Sequence, residues 1–475
     1  MSCDPAQPAD VRRTVPIVAL IVAISAFMQN LDGAIINTSL PQMARSFGVT
    51  PVDLSFGITA YMLASAAISP LAHWLSQRFG SRTVLVGSVL TFTGASLWCG
   101  LAHSLPMFVA ARVAQGVGGA LMIPIGLAVV MRHTPASEMM RITAYTVWPA
   151  LLAPVIGPVL GGFITQAVSW RWNFWLNLPL GLAGALAMLR FVPQERDDDR
   201  PRLDMGGFAL CALGLTCLLA GFQRSSTSGV EREVAFGLIL VGLVAGWAAV
   251  RHLRRHASPL LSLVSLSRRS VTYASLYPGG LFRAVFSTAP LLLPLLFQLG
   301  FGLSPVAAGG WVLVYFCGNI GIKPATSIIL RRFGFRNVML VDGVLVTLSL
   351  LALGLVTPGT PKILLVLLLL FAGAARSMQL TSVTTLAFAD IPGPERSAAS
   401  NLLSMLQQAF SAAGVAIAAF SLSLFQSVFH SKVVMLPELH AAFLLTAAIC
   451  VVATVGLVGM PRDLGREVSG HRVRL

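Results

Sequence analysis

Charge is scarce in this sequence. Only 11% of its 475 residues are Asp, Glu, Lys or Arg, where a soluble globular chain carries roughly 25%. Too few ionic groups remain to cover a water-exposed surface of this size, so lipid must solvate most of the molecule. Acids are scarcer still: 18 Asp and Glu stand against 33 Lys and Arg, for a net charge of +15. The basic residues sit between apolar stretches and form no continuous run, a pattern set by bilayer topology and not by nucleic acid. Five of the six cysteines, Cys99, Cys211, Cys217, Cys317 and Cys450, lie in apolar segments without metal-ligand spacing, and Cys3 stands alone near the terminus. Neither a disulfide framework nor a zinc site is expected. No GxxxxGK[ST] loop is present to cradle phosphates, and the polar residues assemble no pair of nucleophile and base. Neither an enzyme nor a cofactor is expected.

Apolar length, by contrast, is abundant: hydrophobic residues make up 56% of the chain and the mean hydropathy is +0.79. A helix that crosses a bilayer needs about 20 mostly apolar residues. Runs bounded by charge or by Gly/Pro clusters number fourteen, at about 15–38, 50–75, 83–103, 106–131, 141–167, 173–192, 203–223, 234–250, 270–299, 304–329, 337–357, 361–388, 396–428 and 438–460. They are called spans 1 to 14. Span 1 is too long for a signal peptide and carries Asp32 inside it. An even number of spans puts both termini on one side. With that side cytoplasmic, twenty-three of the 33 Lys and Arg fall at cytoplasmic ends and loops, and six, Arg45, Arg171, Arg224, Arg232, Lys362 and Lys432, fall opposite. This asymmetry orients both ends inside the cell. The remaining four, Arg112, Arg283, Lys323 and Arg376, lie within spans.

The octapeptide from Arg78 to Leu85 (RFGSRTVL) recurs in frame from Arg332 to Met339 (RFGFRNVM). One copy joins spans 2 and 3, the other spans 10 and 11, both on the cytoplasmic side, so the repeat is parallel. The arithmetic predicts an all-α polytopic membrane protein built of two six-helix halves, over residues 1–192 and 261–475, with a linker and two inserted helices over 193–260. The charged stretch from Gln194 to Arg202 is expected as a solvated linker.

Two halves facing across a midplane make a transporter architecture, and the local motifs agree. They are Leu31-Asp32-Gly33 with Asn37 and Leu40-Pro41; Arg112-x-x-Gln115-Gly116-x-Gly118-Gly119-Ala120 in span 4; Gly157-Pro158-x-x-Gly161-Gly162 in span 5; and Ser169-Trp170-Arg171-Trp172-Asn173-Phe174 with Asn177-x-Pro179-x-Gly181 entering span 6. In this order they resemble the major facilitator superfamily, and within it the fourteen-helix drug:proton antiporters of the EmrB/QacA type, over nearly the whole chain. The resemblance implies a monomeric bacterial inner-membrane carrier that exports small organic molecules in exchange for protons, by alternating access. The alternatives left open are a dedicated metabolite transporter and a non-transporting membrane sensor on the same fold.

Asp32 is the only carboxylate deep inside a span, where an ionised side chain costs roughly 3 kcal/mol to insert. On a helical wheel it shares less than half the circumference with Ser25, Gln29, Asn30, Gly33 and Asn37, so span 1 presents one polar face, read as lining the transport cavity. Burial and a nearby cation act oppositely on a carboxyl, and a group balanced between them can exchange a proton as a cavity opens to either side. Arg112 shares a face of span 4 with Gln115, Gly116 and Gly119, and its guanidinium is a permanent cation that can tune a carboxylate. The resemblance implies that Arg112 acts in proton coupling and that the Gly157, Pro158, Gly161 and Gly162 stretch is an antiporter signature that keeps the cavity from leaking. Further cavity candidates are Gln29, Asn37, Gln115, Arg283 and Gln407. If two or more of the intramembrane cations face the cavity, its field is positive and an anionic or zwitterionic substrate is expected. Arg78, Gly80, Arg82, Arg332, Gly334 and Arg336 are assigned to a cytoplasmic gate. The family pattern would place a glycine and acids in those loops where His73, Gln77 and Arg331 stand, so charge locks between the halves are in doubt there.

Overall fold

The computed structural model describes residues 9–134, 139–194, 203–224, 230–256, 261, 263–392, 396–431 and 433–466. Both termini, Lys432 and the linker residues 195–202 lie outside these, as does the side chain of His73. Among the described residues eleven helices are long and apolar enough to cross a bilayer, and three shorter apolar helices, Leu152–Ala167, Met205–Gly221 and Pro305–Gly321, complete the fourteen expected.

The helices are span 1, Ala9–Phe47; span 3, Ser81–Leu101; span 4, Leu105–His133; span 5, Met139–Ala167; span 7, Met205–Arg224; span 8, Val230–Arg255; span 12, Lys362–Leu386; span 13, Arg396–Val428; and span 14, Leu436–Gly456. Span 6 forms in two pieces, Trp172–Trp175 and Asn177–Phe191, and span 9 in several, of which Gly279–Leu295 is the longest. Spans 2 and 10 break at matching places. Span 2 runs Pro51–Ile68, tightens over Ser69–Leu71 and resumes as Ala72–Phe79, while span 10 runs Pro305–Gly321, breaks at Ile322 and resumes at Lys323. The short turn expected between spans 10 and 11 falls at Gly334, the non-helical residue that divides the stretch Lys323–Leu353 into two helices.

Spans 1 to 6 pack among themselves and spans 9 to 14 likewise, and the two sets meet chiefly through spans 2 and 13 and spans 5 and 10. Spans 7 and 8 pair with each other, and span 7 also lies against spans 2 and 13. His252 Nε2 and Asp204 Oδ1, 2.7 Å apart, tie the base of this inserted pair.

The repeat is visible in the backbone. Gly80 has φ 88° and ψ 143°, and Gly334 has φ 73° and ψ 162°, a region essentially restricted to glycine. The arginine two residues after each glycine reaches a helix end in its own half: Arg82 Nε donates to the Val192 carbonyl at 2.5 Å, and Arg336 Nη2 to the Val458 carbonyl at 3.0 Å. Gln194 fastens the first turn by donating to the Phe79 carbonyl at 3.2 Å. Arg82 and Arg336, assigned to a cytoplasmic gate, each bond within their own half in this structure. A basic side chain next to a helix C-terminus finds exposed carbonyls there, so these two bind span 3 to span 6 and span 11 to span 14, not one half to the other. Arg78 and Arg332 are exposed. Gly80→Ala and Gly334→Ala are each expected to cost about 1–3 kcal/mol of backbone strain, seen as a lowered melting temperature of the detergent-solubilised protein. An unchanged melting temperature in both would remove the special conformation.

Candidate functional site

Span 4 is drawn against its neighbours by its glycines. A Cβ on Gly116 would collide with the Tyr61 carbonyl of span 2, and one on Gly118 with the backbone of span 3 at Ser88 and Phe92. This close approach places Tyr61 beside Arg112, whose guanidinium carbon lies 4.4 Å from the ring centroid.

Around Arg112 the polar groups of four spans converge. Its Nη1 donates to Asp32 Oδ2 at 2.6 Å and to Gln115 Oε1 at 2.5 Å. Gln115 Nε2 donates to Asp32 Oδ1 at 2.9 Å and to Ser96 Oγ at 2.8 Å. Asn177 Nδ2, from span 6, donates to Asp32 Oδ1 at 3.1 Å and to Ser96 Oγ at 3.2 Å. The carboxylate thus receives three donors and sits against a full opposite charge, the condition under which a buried ion pair is tolerated. Arg112 is 1% exposed and Asp32 3%. One atom is left over: Arg112 Nε is buried with no partner.

Asp32 and Arg112, named separately from sequence, are therefore joined in one buried pair. The expectation that the polar face of span 1 turns as a unit to the cavity is corrected. Asp32 points into the first half, among spans 3, 4 and 6, whereas Gly33, about 100° round the helix, is exposed with open space where a Cβ would stand. Gln115, a cavity candidate from sequence, is 0% exposed in this conformation, its amide bridging Asp32, Ser96 and Arg112. Asn37 is also buried, bonded to the Gly33 carbonyl. Gln29 is half-buried and donates to the Tyr61 hydroxyl at 2.9 Å. Arg283 and Gln407 are half-buried in the second half. Sequence reading quoted Asn177 within a motif but gave it no role at Asp32, and it missed Ser96. The only available signal was an amide placed one turn inside an apolar helix.

The span 5 motif lies on the seam between the halves. Gly157 and Gly161 fit against span 1 at Ala34 and Ile35, Gly162 fits against the Pro305 carbonyl of span 10, and Gly309 of span 10 fits against the Pro158 carbonyl. Nearby, Gln298 of span 9 donates to the Thr38 carbonyl at 2.8 Å and accepts from Gln42 at 3.2 Å. Of these, the contacts of Gly162, Gly309 and Gln298 run between the halves, near the ends of spans 1, 5 and 10 remote from the Gly80 and Gly334 turns. The span 6 entry motif fastens the same end within the first half: Asn173 Nδ2 donates to Ser39 Oγ at 2.7 Å and to Thr165 Oγ1 at 2.8 Å.

The family description "Major Facilitator Superfamily" matches residues 22–415 and 281–471. A relative from Serratia proteamaculans, named multidrug resistance protein MdtD, is 34% identical over 424 residues, 89% of this chain and 88% of the relative. One of the same name from Yersinia enterocolitica is 33% identical, covering 94% of this chain and 95% of the relative. Among solved structures, a D-xylose-proton symporter superposes with a TM-score of 0.65 at 15% identity, over 94% of this chain and 98% of the symporter.

Proposed function

The chain belongs to the Major Facilitator Superfamily, and from that premise we propose that it is a secondary transporter exporting small organic molecules or drugs across the bacterial inner membrane in exchange for protons. In this reading residues 1–192 and 261–475 are the two moving halves, 193–260 carries the inserted pair, and both termini are cytoplasmic. The name carried by its relatives supports the class of cargo. The observation that carries the proton step is the Asp32–Arg112 pair.

A proton arriving on Asp32 removes the negative charge that holds Arg112, weakening the 2.6 Å contact and freeing the guanidinium to turn toward other acceptors. Loss of the proton restores the pair. In the conformation described, the carboxylate is closed off by spans 3, 4 and 6, so exchange requires these helices to shift as the halves rock. Gly157 and Gly161 couple that shift to span 1, because span 5 touches span 1 on one side and span 10 of the other half on the next. Substrate would then occupy the space between the halves while the far-end seam is shut.

The test is substrate-driven proton movement in vesicles containing the purified protein under an imposed pH gradient, with a panel of lipophilic dyes as cargo. Cargo addition is expected to move protons in the direction opposite to the dye. A protein that moves neither dye nor protons is a sensor, and the reading falls.

A further inference from the structure

Among the described residues, three cations in the second half have no counter-ion. Arg283 sits in mid-span 9, Lys323 opens the last segment of span 10, and Arg376 lies in mid-span 12; all three are half-buried. Span 12, which carries Arg376, also carries the Thr381 hydroxyl that Lys323 reaches, and it packs against the span 9 helix that carries Arg283. Among the described residues no carboxylate pairs with any of them, and the acid deep in the other half, Asp32, is already held by Arg112. Their partners are neutral: Lys323 Nζ donates to Thr381 Oγ1 at 2.9 Å, and the Arg376 guanidinium lies over the Phe316 ring at 5.9 Å. Arg376 Nε is buried without an acceptor. Concentrating like charge at membrane depth without compensation is costly, and such groups mark substrate or ion pathways.

The Arg376 end of the cluster lies on the side of span 10 that meets the first half. On span 10, Gly309 and Phe316 are seven residues apart and so share a helix face. A Cβ at Gly309 would strike the Pro158 carbonyl of the first half, so the face that carries Phe316, and Arg376 over it, is turned toward that half.

We infer that Arg283, Lys323 and Arg376 form a subsite for a negatively charged group, so that the cargo is an organic anion, or a zwitterion with an anionic end, carried on an apolar body. The inference rests on the transport reading and names the substrate class for it. Two guanidiniums present planar forks that match the oxygens of a carboxylate or sulfonate, and the ammonium adds a point charge. Phe316 supplies the apolar wall.

The test is binding of three matched naphthalene probes, bearing a sulfonate, a hydroxymethyl or a trimethylammonium group, to the full-length protein in nanodiscs of zwitterionic lipid. The sulfonate is expected to bind at least about tenfold tighter than the trimethylammonium probe. Arg283→Gln and Arg376→Gln should each weaken the sulfonate by about tenfold or more, the effect of losing a charged hydrogen-bond partner, and leave the neutral probe unchanged. Arg376→Lys, which keeps the charge, should recover part of the preference and so separates charge from a folding defect, with gel filtration of every variant as a check. Equal or tighter binding of the cation, no saturable sulfonate binding, or an unaltered sulfonate affinity in both Gln variants overturns the subsite. The vesicle assay reads the transport proposal separately. Sulfonate preference without proton movement leaves the subsite and removes antiport, whereas proton movement driven by the trimethylammonium probe alone keeps antiport and removes the subsite.

Discussion

Asp32→Asn is expected to abolish cargo-driven proton movement, by about a hundredfold or more, while the protein still inserts and purifies as a folded species. The change is nearly isosteric, but it converts an acceptor into a mixed group. Arg112 Nη1, Gln115 Nε2 and Asn177 Nδ2 all aim donors at this carboxylate, and an amide nitrogen in place of one oxygen meets a donor head on. Arg112→Ala is expected to hurt folding more, because a fully buried carboxylate then stands without its cation, a loss of about 3–5 kcal/mol for broken buried pairs. The double variant Asp32→Asn/Arg112→Gln should therefore be more stable than the sum of its single changes predicts, since groups in one network do not add. The checks are proton flux in vesicles at matched protein density and thermal melting in detergent. Wild-type flux in Asp32→Asn would take the carboxyl out of the coupling step, and strict additivity in melting would mean that the two side chains do not depend on each other.

Much of the architecture is legible from composition and periodicity because the bilayer imposes length on every apolar run. The parallel repeat was readable for a different reason: Gly80 and Gly334 occupy backbone conformations that other residues avoid, so the turn keeps its glycine and its flanking arginines in register. What the arginines bind was not readable. Arg82 and Arg336 bond to carbonyls of Val192 and Val458, more than a hundred residues away, and a carbonyl is identical in every residue. The candidate site divides in the same way. A helical wheel says which side chains of span 1 share a face, but it does not say which neighbour that face meets. Span 1 is surrounded by spans 4, 5 and 6 as well as by span 9 of the other half, so its polar residues separate, Asp32 inward and Gly33 outward. Gln115 follows Arg112 at the spacing of one helical turn, and that spacing serves a network partner as well as a cavity wall.

Gly162→Leu and Gly309→Leu are expected to hold the far end of the molecule open and to reduce exchange by about fivefold or more. The two glycines form reciprocal contacts: each faces a proline carbonyl on the opposite half, Pro305 for Gly162 and Pro158 for Gly309. A backbone carbonyl cannot swing aside as a side-chain tip can, so any added Cβ pushes whole helices apart. Overpacking of a close contact costs about 1–3 kcal/mol, and here the cost falls only on the conformation in which the seam is closed. An equilibrium between two access states moves by that difference, roughly fivefold to a hundredfold in population. Gly310 is the internal comparison, since a Cβ there meets nothing within 4 Å, and Gly310→Ala should leave exchange near wild type. The readout is a single cysteine introduced by Gln42→Cys, in a background without native cysteines, reacted with a membrane-impermeant maleimide. Its labelling should rise in the Gly162→Leu and Gly309→Leu proteins and stay low with Gly310→Ala. Equal labelling in all three would mean that the seam does not pass through these glycines, and the coupling of span 5 to the closing of the far end would have to be sought elsewhere.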